Sequence, residues 1–214
     1  MPRSLRYWLP EGIYHLTVRG NNRQAIFLDS ADYQQYLIDL RHCRDDNPFR
    51  LLAFALMPNH VHLVLQTLPG SIPSVVMHRL ATRYTRYFNS RYDRVGHLYQ
   101  GRFYSNLVAK ESYLREVTRY VHLNPVRAGL VDRPDRYPWS SYKWYVTKDS
   151  DPLALVEPDR MLCLFGLSRE EQTVAYRQFV EELLGKETEG RAWIKRLQQH
   201  GIIPPHRWLR ELST

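Results

Sequence analysis

Two histidines lie one residue apart inside a long apolar stretch, LLAFALMPNHVHLVLQ, which runs from residue 51 to residue 66. Successive side chains of a β-strand point to opposite faces, so His60 and His62 would share a face at a separation of about 7 Å along the strand. A Pro-Asn turn signal separates two predicted strands, 51–56 and 60–66. The stretch therefore predicts a β-hairpin whose second strand opens with the histidine pair.

The other face of this second strand carries Val61, Leu63 and Leu65, which indicates that it is the buried face. Two imidazoles at this separation can hold one divalent ion between them. They can equally form hydrogen bonds at a strand edge without binding any metal. The histidine pair alone is therefore compatible with both a metal site and a structural role.

The composition favours a nucleic acid as the partner. The chain of 214 residues has a formal net charge of +8 and contains 15 Tyr and 5 Trp. Arginine binds phosphates and aromatic rings stack on exposed bases, so this mixture is typical of nucleic-acid-binding proteins. A solvated basic surface is the alternative, because net charge describes association and not fold.

Other features limit the range of protein classes. Cys43 and Cys163 lack CxxC spacing, so the sequence indicates neither a thiolate zinc site nor a disulfide framework, and we expect both thiols to be buried. The N-terminus lacks the apolar core of a signal peptide, and no run approaches the ~20 apolar residues of a membrane span. We therefore expect a soluble, cytoplasmic protein with no membrane partner.

The order of the predicted elements indicates an α+β fold. Alternation in IYHLTVR predicts a strand over 13–19, and a helix with Asp29 or Ser30 as its cap leads to the hairpin. Helical spacing then recurs over 72–90, and a strand is expected at 102–109. The resulting order is that of a ferredoxin-like βαββαβ sandwich.

A further helix is predicted over 111–123, and it should end at Asn124-Pro125 because the residue before a proline disfavours helical geometry. Tyr120 and Asn124 lie four residues apart and so project near the same face. A tyrosine there can attack phosphorus covalently, and two histidines with an amide oxygen would leave open positions on a catalytic cation. Tyr120 can also be a core aromatic with a hydrogen-bonded hydroxyl.

The 72–90 helix is basic. Arg79, Arg83 and Arg86 recur at spacings of four and three, so they form one stripe that can bind phosphates. A solvated helix face is the alternative.

The segment after this core has a different character. Residues 125–146 are rich in turns and aromatics and should wrap over the core. Residues 150–214 are predicted to form a small helical C-terminal extension, with one helix over 168–184 and one or two more over 190–212.

Three strings carry a resemblance to a known family: MPNHVHLV at 57–64, GHLYQGRFYS at 96–105 and YLREVTRYVHLNPVRAGLV at 113–131. In this order and at these separations they resemble the REP-associated tyrosine transposases, within the HUH single-strand transposase superfamily. The resemblance covers 5–146 and implies a ferredoxin-like catalytic domain.

In that family the residues matching His60 and His62 form the HUH metal pair, and the residue matching Tyr120 is the nucleophile. Asn124 falls where related enzymes carry a third polar metal ligand, although glutamine is the familiar residue there. The resemblance also suggests that Gln100, Arg102 and Arg127 contact DNA phosphate or hold the site.

The expected activity is nicking and rejoining of single-stranded DNA hairpins through a 5′-phosphotyrosine at Tyr120, with Mg²⁺ or Mn²⁺ as the cofactor and a monomer or homodimer as the active form. One alternative is a domesticated hairpin-binding protein that cuts nothing. Another is a metal-dependent hydrolase in which His60 and His62 activate water and Tyr120 is dispensable.

Overall fold

The computed structural model describes residues 8–149 and 151–203. Within them, four strands form one antiparallel sheet in the order β2-β3-β1-β4. The strands are β1 (Ile13–Arg19), β2 (Phe49–Met57), β3 (His60–Thr67) and β4 (Tyr104–Leu107). This mixed arrangement of a sheet and intervening helices confirms the predicted fold class.

Two helices form the crossovers on one face of the sheet. They are α1 (Ser30–Asp46) and α2 (Pro73–Arg91), which contact each other. The Asp29 side chain caps α1 by accepting hydrogen bonds from the Ala31 and Asp32 backbone N–H groups, as the sequence predicts. Burial of apolar side chains on this face, Leu16, Val18, Val61, Leu63 and Leu65, gives the core of the domain.

The third helix, α3 (Glu111–Arg127), covers the opposite face, which bears the two histidines. Its predicted end at Asn124-Pro125 is wrong, because α3 continues through Pro125. A proline in the last turn removes only one intrahelical hydrogen bond, and the helix ends instead at Arg127, two residues before Gly129, whose φ of +69° is left-handed. Asn124 is therefore part of the helix.

The fourth strand is shorter than the predicted 102–109. It extends only over Tyr104–Leu107, since that is the part of this segment that pairs with β1. The prediction that both cysteines are buried is confirmed for Cys43 and wrong for Cys163. Cys43 is buried in α1, whereas Cys163 is exposed just after the short helix α5 (Asp159–Leu162).

The segment after α3 wraps along the outer edge of β2, as predicted. The Tyr137 hydroxyl donates to the Leu56 carbonyl at 2.6 Å, and Ser140 forms a bridge with Ala55. The ring of Trp139 stacks on that of Tyr33 at 4.5 Å. This edge of the sheet is thereby paired and not open to solvent.

The C-terminal part is helical. Besides α5 it contains α4 (Tyr142–Val146), α6 (Arg169–Glu181) and α7 (Glu187–Gln199). Ser168 and Glu171 form a capping box at the start of α6. The predicted helices over 190–212 are described only to residue 203, so the part over 204–212 lies outside the described residues. None of the described helices is long and apolar enough to cross a membrane.

Candidate active site

His60 and His62 lie on the same face of β3, with ring centroids 4.9 Å apart. This strand lies between β2 and β1, and His62 is flanked by Ala55 on one side and Thr17 on the other. Both neighbours are small, which leaves room above the sheet for the imidazole rings. The histidine face is as buried as the apolar face, because α3 and the chain after it cover it.

One nitrogen of each imidazole is held by a neighbouring side chain. His60 Nδ1 lies 2.7 Å from the Asn59 side-chain oxygen, and His62 Nδ1 lies 3.0 Å from His15 Nε2. The Nε2 atoms of His60 and His62 are both buried without a hydrogen-bond partner in the described part of the chain. Buried polar atoms normally have partners, so these two nitrogens are candidate ligand-binding atoms.

Burial keeps both rings neutral. It lowers the pKa of His60 to about 3, and the nearby positive charge of Arg19 acts in the same direction. The pKa of His62 lies well below its usual value, mainly because of burial, with further contributions from His60 and His15. A neutral imidazole offers a lone pair, which is the form that binds a metal ion.

Tyr120 projects from α3 toward the histidines. Its ring meets that of His62 edge-on at 5.5 Å, and its hydroxyl is buried without a partner among the described residues. Burial raises the pKa of Tyr120 to about 12, and the positive charge of Arg127 and the nearby Asn124 side chain oppose this shift. The hydroxyl is therefore protonated at neutral pH and needs a proton acceptor if it is to act as a nucleophile.

Asn124 lies one helical turn after Tyr120 and belongs to the same site. Its side-chain nitrogen donates to the Tyr120 carbonyl at 2.8 Å. With the nitrogen used in this way, the amide oxygen is the atom that can coordinate a cation. The structure thus brings Tyr120 against His62, beside His60, and holds Asn124 on the Tyr120 carbonyl; their catalytic and metal-binding roles stay predictions.

Two other side chains of α3 contact the C-terminal extension. Glu116 accepts a hydrogen bond from the Trp193 indole N–H at 2.5 Å, and the ring of Tyr113 stacks on His200 at 6.1 Å. Trp193, on α7, also lies 6.3 Å from the ring of Tyr120. Helix α7 therefore forms part of the cover over the site, which the sequence does not indicate.

The three arginines of α2 separate into two groups. Arg79 is ion-paired with Asp46 at 3.0 Å, and Arg83 contacts Asp39 at 3.5 Å, so both reach toward α1. Arg86 instead lines an open groove with Arg102, the other residues being Asn21, Ala81, Thr82, Thr85, His97, Leu98, Tyr99 and Gly101. Neither Arg86 nor Arg102 has an ion-pair or hydrogen-bond partner within 8–149 and 151–203.

The remaining predicted residues lie close to the site. The side-chain oxygen of Gln100 accepts hydrogen bonds from Arg19 at 3.0 and 2.6 Å. The guanidinium of Arg127 lies 5.9 Å from the centre of the Tyr120 ring. Gln100 therefore orients Arg19, while Arg127 places a positive charge beside the tyrosine.

Comparison with known proteins gives the family. The family model described as "Transposase IS200 like" matches residues 10–124, more than half of the chain. The chain belongs to the IS200-like transposase family. The match begins just before β1 and ends at Asn124, so it includes the sheet, Tyr120 and both histidines but not the C-terminal extension.

This IS200-like transposase resembles one curated protein in sequence and one solved structure in fold. It is 24% identical over 155 residues to the REP-associated tyrosine transposase of Escherichia coli strain K12, which covers 72% of this chain and 90% of the relative. It also resembles the solved structure of a REP-associated tyrosine transposase bound to a REP hairpin. The TM-score is 0.62 at 22% identity, and the match covers 73% of this chain and 92% of the other.

Proposed function

We propose that this transposase nicks and rejoins single-stranded DNA hairpins through a covalent bond between Tyr120 and a 5′ phosphate. One observation carries the proposal: two buried imidazole nitrogens and one buried tyrosine hydroxyl, all without partners in the described chain, meet in one site. Buried polar atoms without partners cost stability, which a role in ligand binding and catalysis would explain.

The chemistry is an exchange of phosphodiester bonds. The Tyr120 oxygen forms a bond to phosphorus, the bond from phosphorus to the 3′ oxygen breaks, and the phenolic proton is balanced by the proton gained at the released 3′-hydroxyl. The phosphotyrosine keeps the bond energy, so a later attack by a 3′-hydroxyl can rejoin DNA without another energy source.

The donor set at the site fits a divalent cation. His60 and His62 would hold it through Nε2, with the Asn124 amide oxygen as a third ligand. Among the described residues no three His, Cys, Asp or Glu side chains form a metal-binding group, so substrate or water oxygens would complete the coordination. A bound Mg²⁺ or Mn²⁺ would supply charge that stabilises the phosphate during transfer.

The proposed substrate class rests on the relative whose structure contains a REP hairpin and on the basic groove of this chain. Arg86 and Arg102 are exposed in that groove and lack partners among the described residues, so they can bind phosphates at no cost in broken ion pairs. Arg79 and Arg83 would first have to release α1 carboxylates. We assign the DNA backbone contacts to Arg86 and Arg102, with Arg127 nearer the scissile phosphate.

The burial of the Tyr120 hydroxyl favours a second candidate function, hairpin binding without cleavage. In the structure α7 lies over the site, and DNA cannot reach the tyrosine until α7 moves. This candidate keeps the groove and its arginines but gives Tyr120 and the histidines no chemical role.

One assay separates these functions. Hairpin oligonucleotides labelled at the 5′ or 3′ end are incubated with the protein and Mn²⁺, and the products are resolved under denaturing conditions. The proposed function predicts a protein–DNA adduct that survives denaturation and retains only the label on the 3′ side of the cut. Binding without cleavage gives a shifted complex under native conditions but no adduct, and water-mediated hydrolysis gives cut DNA without adduct.

A further inference from the structure

We propose that His15 is a positioning residue that fixes the tautomer of His62, so that Nε2 of His62 carries a lone pair. This inference deepens the proposed function, on which it rests for the identity of the ligand that His62 binds. His15 did not emerge as a site residue from the sequence, because the register that brings it to His62 depends on the pairing of distant strands.

Strand pairing places His15 beside His62, on the same face of the sheet. Thr17 of β1 is directly opposite His62 of β3, and His15 lies two residues earlier on the same face. The rings of His15 and His62 stack at 5.2 Å, with His15 Nε2 only 3.0 Å from His62 Nδ1. His15 therefore contacts the nitrogen of His62 that faces away from the unpartnered Nε2.

The directions of the hydrogen bonds made by His15 and His62 follow from the backbone carbonyl of Ile202, which His15 contacts. His15 Nδ1 lies 3.4 Å from the backbone carbonyl of Ile202, and a carbonyl can only accept. His15 Nδ1 must therefore carry the proton, which leaves Nε2 of the neutral ring as an acceptor. His62 Nδ1 then donates to His15, and the lone pair of His62 is on Nε2.

Burial supports this assignment, since all the participating side chains are almost fully inaccessible to water: His15 is 0% exposed and His62 is 0% exposed. A protonated His15 would need acceptors at both nitrogens, and His62 Nδ1 could then not donate to it.

Thr17 provides a second acceptor for the same proton. Its hydroxyl oxygen lies 3.2 Å from His62 Nδ1 and 3.4 Å from His15 Nε2. Loss of His15 alone would thus be partly compensated. Removal of both acceptors would leave the buried His62 Nδ1–H without a partner, and the other tautomer would then compete.

The carbonyl that accepts the hydrogen bond from His15 belongs to the C-terminal extension. Ile202 follows α7 and lies beyond the region matched by the family model. The extension therefore contributes more than a cover, because its backbone carbonyl orients the ring that orients His62. This gives residues outside the family region a defined part in the geometry of the site.

The direct test is nitrogen NMR of the histidine rings in metal-free protein without DNA. The expected result is that His62 has its proton on Nδ1 and that His15 also has its proton on Nδ1. A proton on Nε2 of His62 would overturn the proposal whatever the variants show. This readout does not depend on cleavage.

Metal binding gives the functional test. Mn²⁺ affinity is measured by calorimetry on folded, DNA-free protein, and His15→Phe combined with Thr17→Val should weaken it about 10- to 100-fold, the usual effect of removing a partner of a metal ligand. His15→Gln combined with Thr17→Val, in which Gln restores an acceptor, should recover most of the Mn²⁺ affinity. His78→Phe, on the exposed side of α2, is the matched control and should leave it unchanged.

The outcomes separate the two proposals. Unchanged Mn²⁺ affinity in a folded double variant would overturn the role of His15. Absence of Mn²⁺ binding by the wild-type protein would overturn the metal-dependent part of the proposed function, while the NMR result would still decide the tautomer. If His15→Phe fails to fold, the comparison of wild type with His15→Gln and Thr17→Val, together with the NMR result, decides the question.

Discussion

The ring of Tyr120 meets the ring of His62 edge-on, with centroids 5.5 Å apart and planes at 87°. The two residues come from α3 and β3, which are brought together by packing of the helix across the sheet. A hydroxyl with no partner in the described chain beside two similarly unpartnered imidazole nitrogens is the arrangement from which the proposed activity follows.

Tyr120→Phe should abolish both the covalent adduct and DNA cleavage, with hairpin affinity changed less than about twofold, because the ring and its packing are kept. Gel analysis of labelled hairpins measures both quantities. Tyr113→Phe on the same helix is the matched control and should cleave normally, since Tyr113 contacts His200 and not the histidine pair. Cleavage by the Tyr120 variant at the wild-type rate would contradict the nucleophile assignment.

His60→Ala and His62→Ala should each remove cleavage and metal dependence together, since one imidazole with an amide holds Mg²⁺ or Mn²⁺ poorly. Treatment of the wild-type protein with a chelator should have the same effect, and added Mn²⁺ should reverse the chelator but not the substitutions. Calorimetric titration with Mn²⁺ provides an independent check. If a variant carrying both substitutions bound Mn²⁺ as tightly as the wild type, the two histidines would be structural.

Neutralising Arg86 and Arg102 should weaken hairpin binding for matched and scrambled sequences alike. The slope of log affinity against log salt concentration should become shallower by roughly 0.7 for each lost single-strand contact. Arg83→Gln is the control from the same helix, because its side chain is held by Asp39. A larger loss of hairpin affinity for Arg83→Gln than for Arg86→Gln would place the DNA on the α1 side instead.

His122 should make the stability of the protein depend on pH. Its ring lies 2.6 Å from the Tyr176 hydroxyl and 2.7 Å from Ser141 Oγ, and burial lowers its pKa from 6.5 to about 3. Between these values the unfolded chain binds the extra proton, so this contribution to stability is complete above pH 6.5 and is lost as the pH falls toward 3. The slope reaches about 1.4 kcal/mol per pH unit.

The measurement for His122 is denaturant unfolding at several pH values between 7 and 5. His122→Gln, which does not titrate, should be less stable at pH 7 but should lose less stability on acidification than the wild type. His15, His60 and His62 remain in both proteins, so the difference between the two profiles isolates His122. Parallel profiles would show that His122 is not held neutral by the fold.

Loosening α7 should expose the site to DNA. Trp193→Ala removes the hydrogen bond to Glu116 and a buried aromatic ring, and the fraction of molecules with α7 displaced should rise by at least about tenfold. Adduct formation should accelerate, and hydrogen exchange should increase in α7. Trp144→Ala, whose ring packs on Phe54 away from the site, is the control. Faster exchange with unchanged or slower adduct formation would contradict a covering role for α7.

Local patterns predicted the elements well. The strand over 13–19, the hairpin and the cap of α1 follow from residue alternation, turn signals and capping, which act over a few residues. The end of α3 was misplaced because a local rule about proline competed with packing of the whole helix against the sheet. Tertiary contacts then outweighed the local preference.

The sequence pattern predicted part of the candidate site. His60 and His62 share a face through strand alternation, and Tyr120 and Asn124 share one through helical spacing. His15 and the cover by α7 could not be predicted in this way, since both depend on which distant segments pack together. The same limit explains why Arg79 and Arg83 point toward α1 while Arg86 points into the groove.

Helix α3 is held from both sides within one chain. Tyr120 faces the sheet, whereas His122, two residues later, contacts Ser141 and Tyr176 on the other side of the helix. The helix cannot exchange its tyrosine into a second copy without breaking these buried bonds. Each copy therefore contains its own Tyr120 and histidine pair. An equimolar mixture of the Tyr120→Phe and His62→Ala proteins should show no complementation, whatever the stoichiometry of the complex on DNA.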